Sequence, residues 1–169
     1  MKNPIVIIAV FVVFSVFSTG LRAQNKDKEK INFVLDGWHK AAAEANYDAY
    51  FNMMTPDAVF IGTDATENWN KVNFKVWAKP YFDRGNAWNF TMLERHIYLH
   101  KSGKMAWFDE LLNTQMKVCR GSGVLVKIGT EWKIQHYVLS MTIPNDDVNA
   151  VVKIKAPIEE ALIRKLKEQ

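Results

Sequence analysis

A single cysteine, Cys119, leaves this chain of 169 residues no internal disulfide. Stability must come from packing, and Cys119 itself is expected as a small buried apolar residue rather than a reactive thiol. Glycine and proline are sparse, at 8 and 5, and there is neither an internal repeat nor a low-complexity tract, which removes solenoids and linker-like chains. Charge of one sign is also missing. The formal charge is +4, it falls further once Lys2 and Arg22 are set aside, and no basic block stands out, so nucleic acid is not an expected partner. His39, His96, His100 and His136 do not fall at metal-ligand spacings; on one strand, His96 and His100 would stand about 13 Å apart. Neither a metal nor a cofactor is expected. Gly121 and Gly123 precede a strand rather than a helix, which argues against a phosphate loop, and Ser122 and Ser140 lack the strand-to-helix elbow of a serine nucleophile.

What is present begins with Lys2, the apolar run Ile5–Phe17 and the exit Leu21-Arg22-Ala23, the pattern of a secretory signal on residues 1–23. The run is shorter than the roughly 17–25 residues of a spanning helix, so an exported protein, periplasmic or secreted, is expected, with no membrane association after cleavage before Gln24. Residues 24–30 are charged and read as a mobile leader. From Ile31, apolar residues at Ile31, Val34, Leu35, Trp38, Ala41, Ala42 and Ala45 follow one helical stripe. A second short helix over Asp48–Met54 is expected to end at Pro56. Ala58–Gly62 reads as a strand, and Asn70–Phe82 as a third helix that Asp64 or Thr66 would cap. Strand-like runs follow at Trp88–Leu99, Met105–Thr114, Cys119–Ile128 and Glu131–Ile143, and Pro157–Lys167 suits a last helix with proline in its first turn. Helices first and a four-strand antiparallel meander after them predict an α+β fold over residues 31–143, with 144–169 as an extension.

The order of these elements, together with Ala106-Trp107, Val126-Lys127 and Trp132-Lys133-Ile134, resembles the SnoaL-like branch of the nuclear transport factor 2-like superfamily, whose members include ketosteroid isomerases. The resemblance implies a cone: a strongly curved antiparallel sheet wrapped on about three N-terminal helices, an apolar pocket between them, and often a homodimer through the outer sheet face. It also implies a choice of functions, from isomerases, dehydratases and cyclases to members without catalysis, so the fold alone does not decide.

Three long apolar strands each carry an ionisable residue: Asp109, Arg120 and His136. Asp109 and Glu110 are adjacent and must point to opposite faces. The phase Met105, Trp107, Asp109, Leu111 would turn Asp109 into the pocket; the phase Ala106, Phe108, Glu110, Leu112 is nearly as apolar. His136 shares a strand face with Trp132, Ile134 and Val138, as a pocket base or as a core histidine. The apolar pattern favours a three-residue turn over Ile128–Thr130, which would set His136 beside Ser122 and bring Arg120 onto the same face; a two-residue turn would put His136 across from Gly123 and break that grouping. Arg120 could pair with Asp109 as a structural ion pair or hold an anion. The expected acid–base set is therefore Asp109 as proton shuttle, His136 as partner and Arg120 as orienting group, acting on a small apolar, oxygen-bearing molecule. Trp38, Tyr50, Met54, Trp77, Trp107 and Trp132 are the expected ligand-binding walls, and Asp64 and Glu67 the pocket rim. The alternatives are a ligand-binding module without turnover, or a dimeric interaction protein whose outer face includes Leu125 and Tyr137.

Overall fold

The computed structural model describes the backbone of residues 4–168 and the side chains of residues 24–168; the side chains of the signal-like run lie outside the described residues. Among the described residues no helix is long and apolar enough to cross a membrane.

Helix α1 (Pro4–Ala43) presents the expected stripe to the core, with Ile31, Leu35, Trp38 and Ala42 fully or almost fully buried. Residues 24–30, read as a mobile leader, instead continue this helix. The reason is a local tether: the Asp27 carboxylate accepts from Lys127 Nζ at 2.8 Å and from the Trp132 indole N–H at 3.2 Å. Helix α2 (Tyr47–Asn52) is capped by Asn46, whose side chain accepts from the Ala49 N–H. It stops earlier than expected because strand β1 (Met54–Ile61) already begins ahead of Pro56. The proline is tolerated there since the pairing of β1 is irregular between Met54 and Val59.

A short strand, β2 (Asn68–Asn70), lies where a loop was expected, and Asn70, rather than Asp64 or Thr66, caps helix α3 (Lys71–Asp83) by accepting from the Asn73 N–H at 2.9 Å. Asp64 turns its carboxylate to the backbone and hydroxyl of Thr66. The meander consists of β3 (Thr91–Leu99), β4 (Met105–Thr114), β5 (Lys117–Ile128) and β6 (Glu131–Met141). The full sheet has the order β2-β1-β6-β5-β4-β3, with β1 parallel to β6 and every other pair antiparallel. Six strands thus wrap α1, α2 and α3, and Cys119 is buried against them, as expected.

Helix α4 (Val148–Lys167) is longer than expected, with Pro157 inside it rather than in its first turn. Its stripe does not start at the proline: Val151 precedes Ile158 and Leu162 on the same side, so the helix runs through at the cost of one backbone hydrogen bond. None of its residues is buried.

Two features of β5 and β6 decide which side chains enter the cone. The strands meet at a two-residue turn, Gly129-Thr130, in which Gly129 takes a positive φ of 61°. A bulge then breaks the ladder: Ile134 faces Leu125, but His136 faces Val124, leaving Gln135 as the extra residue. The alternation of β6 reverses there. Trp132 and Ile134 point inward before the bulge and Tyr137 and Leu139 after it, while His136 turns outward.

A candidate ligand cleft above a sealed ion network

The inner face of β4 carries Ala106, Phe108, Glu110 and Leu112, all buried. Glu110, not Asp109, is the acid inside the cone. The glycines of β5 explain the choice. Gly121 and Gly123 lie on the same inward phase, where a Cβ at Gly121 would overlap the Tyr137 hydroxyl and one at Gly123 would overlap the His136 carbonyl and press on the Phe108 ring. The inner face is the one that makes room for rings.

Glu110 is 1% exposed and fully engaged. His39 Nε2 donates to its Oε1 at 2.8 Å and the Tyr137 hydroxyl to the same oxygen at 3.3 Å. Arg95 Nε donates to Oε2 at 2.8 Å, and Arg95 Nη1 continues to Asp36 at 2.8 Å and to the Asn32 side chain at 3.1 Å. Burial pushes the Glu110 carboxyl up, but the bonded His39 ring and the Arg95 charge outweigh it and hold the carboxyl below its ordinary value. Burial, reinforced by the Glu110 charge, raises the Tyr137 phenol well above its ordinary value. Trp38 and Tyr50 stack at 4.8 Å beside this network, with the indole N–H and the hydroxyl both buried and unpartnered. Burial also drives the Tyr50 phenol well up.

Next to this network, beyond Phe60, Phe90 and Leu139, a cleft of about 170 Å³ opens. Phe60, Trp69, Trp77, Trp88 and Phe90 supply its aromatic wall, and Thr63, Glu67 and Gln115 its polar side chains. Trp69 stacks on Trp77 at 4.6 Å, and Trp77 stands 6.3 Å from Trp88. Phe90 also meets the His39 ring edge-on at 6.0 Å, so one ring separates the cleft from the ion network. A larger groove of about 560 Å³ lies on the surface between the start of α1 and the β5–β6 turn, with Val34, Met53 and Trp132 among lysines Lys26, Lys30 and Lys133. It is an open trough beside α1.

Of the expected residues, Asp109, Arg120 and His136 do share one face, but it is the outer one. Asp109 faces Ser122, Arg120 lies two residues away on the same strand, and His136 faces Val124. Asp109 is half-exposed and paired with His96 at 3.2 Å; Arg120 is exposed. Trp107 is also outside, stacked on Tyr98 at 5.8 Å, whereas Leu125 and Tyr137, expected outside, are fully buried within. Trp38, Tyr50 and Met54 are solid core rather than cleft wall, and Trp132 lies on the surface trough, its indole N–H held by Asp27. Trp77 and Glu67 do line the cleft; Asp64 does not, though its N–H donates to Glu67 Oε2 at 3.2 Å. His39, Arg95, Trp88 and Phe90 were missed. His39 could have been found, since it lies four residues after Leu35 and three before Ala42, at the margin of the buried stripe. Among the described residues no group of three or more His, Cys, Asp or Glu side chains could hold a metal ion.

A family model described as SnoaL-like domain matches residues 31–144. No curated protein matches the chain. Among solved structures, an NTF2-like protein of unknown function from Pseudomonas putida is similar with a TM-score of 0.60 at 13% identity, over 73% of this chain and 91% of that one. A proposed dehydratase of the NTF2-like family from Streptomyces avermitilis gives 0.62 at 10% identity, over 71% and 99%. A proposed Ca/calmodulin-dependent kinase II association domain from Exiguobacterium sibiricum gives 0.53 at 14%, over 70% and 95%.

Proposed function

We propose that this chain, which belongs to the SnoaL-like domain family, is a binding protein for a compact small molecule held in the aromatic cleft beside Trp88. The observation that carries the reading is the wall itself: five aromatic rings converge on a space lined by few polar groups, the composition that binds small molecules elsewhere. Acid–base turnover has weaker support. A general acid needs a raised pKa and a general base an accessible atom, whereas the Glu110 carboxylate is held down and closed in by His39, Arg95 and Tyr137. Asp109, Arg120 and His136 stand on the outer sheet face, away from the cleft. The apolar run Ile5–Phe17 supports export, for which an N-terminus at Gln24 in the exported protein is the check.

Thermal melts with a small aromatic alcohol such as benzyl alcohol test the binding role. The parent melts higher as ligand is added, by the ordinary linkage of binding to folding. Trp88→Ala loses that increment while Asp109→Asn keeps it. An equal increment in both variants would move the ligand out of the cleft.

A second reading, association of two copies through the outer sheet face, rests on a different observation. Tyr98, Met105, Trp107 and Val118 are exposed on that face, and the Exiguobacterium neighbour is named for association.

A further inference from the structure

The polar lining of the aromatic cleft is one-sided. Among the described residues Glu67 is its only ionisable side chain, and no lysine, arginine or histidine contributes to the wall. Glu67 is half-buried, and its one bonded donor is the Asp64 N–H; among the described residues no cation pairs with it. The carboxylate is placed there by backbone: it packs over Gly62, where any Cβ would overlap its oxygen. Aromatic faces carry the negative end of the ring quadrupole, so Trp69, Trp77 and Trp88 favour positive charge in the space that the carboxylate also favours.

We infer that the cleft selects an organic cation, a compact alkylammonium headgroup set against the tryptophan faces with Glu67 as its counter-ion. This inference rests on the binding role proposed above and names the ligand class. The charge and the ring faces of the wall oppose an anion: an acid would meet an unpaired carboxylate and the electron-rich ring faces together. Size agrees, since about 170 Å³ corresponds to roughly six water molecules at about 30 Å³ each, enough for a trimethylammonium group.

Choline and its neutral isostere 3,3-dimethylbutan-1-ol separate charge from shape. Each is titrated into the protein while the indole N–H signals of Trp69, Trp77 and Trp88 are followed by NMR. Choline should shift these signals with a Kd about tenfold lower than the isostere's. Glu67→Gln should bring the two to parity, and Trp77→Leu, at a position 36% exposed and outside the core, should weaken choline with no change in fold. An isostere that binds as tightly as choline, or an undiminished preference in Glu67→Gln, overturns the cation assignment and leaves the binding role standing. If neither compound moves the indole signals, both fall.

Discussion

Glu110 and Asp109 are neighbours with opposite fates, and their substitutions should differ accordingly. Removing one partner from a buried ion network leaves the other uncompensated, so Glu110→Gln should cost about 3–5 kcal/mol, lowering Tm by roughly 6 °C or more for a chain of this size. Asp109→Asn, on a half-exposed pair with His96, should stay within about 0.5 kcal/mol. Thermal melts of the two variants decide it; equal losses would mean that Glu110 is not the keystone. The network also sets both pH limits. Because the folded carboxyl lies below the ordinary 4.5, the unfolded chain binds the extra proton, and the stability Glu110 contributes is lost as pH falls below about 4.5 toward the folded value. Tyr137 works in the other direction: its phenol is raised above 10.0, so the unfolded chain ionises first and stability falls as pH climbs past 10. Gly121→Ala should be destabilising by about 1–3 kcal/mol, because the new methyl displaces the Tyr137 hydroxyl from Glu110. A melt unchanged from the parent would show that Tyr137 has room to move. At this scale the sequence was only half legible. Alternation alone left the two phases of β4 nearly equal; the discriminating signal was the pair Gly121 and Gly123, whose missing side chains mark the face that large rings occupy.

Elements were easier to read than the faces they present. The stripe from Ile31, the third helix and all four meander strands are legible from periodicity, and β4 has the expected ends, Met105 and Thr114. What periodicity cannot register is a change of phase within an element. One extra residue at Gln135 reverses the inner and outer assignments of β6, sending His136 out and Tyr137 in, and nothing in the local composition announces it. Long-range pairing is hidden for a related reason: the parallel contact of β1 with β6 joins residues 54–61 to 131–141 without any local turn signal. Helix α4 gives the element-scale prediction. With no buried side chain, it adds nothing to the core, so removing residues 146–169 should leave Tm within a degree or two of the full chain, which at this size is less than about 1 kcal/mol. A loss of many degrees would reveal that its apolar stripe is covered in solution.

The whole molecule has two sides with different chemistry. Inside the cone, aromatic rings fill the space between helices and sheet, and the buried charges are tied into one network around Glu110, while the Trp38 indole N–H and the Tyr50 hydroxyl stay unpartnered beside it. Outside, the sheet offers a surface that is neither core nor fully polar. Tyr98 and Trp107 stack toward its β3 edge, with Met105 and Val118 on the same face and the His96–Asp109 pair beside them. A stable pair of copies needs about 800 Å² from each partner, with an apolar centre and a polar rim, and an open sheet face can supply that extent. Trp107 is the side chain to change because it is 45% exposed in the single chain and contributes nothing to the core. Sedimentation of the parent should give a dimer, and Trp107→Glu a monomer that melts as a folded protein and still binds ligand, since the cleft lies on the other side of the sheet. A parent that sediments as a monomer removes the association reading outright. A variant that remains dimeric moves the interface away from this face.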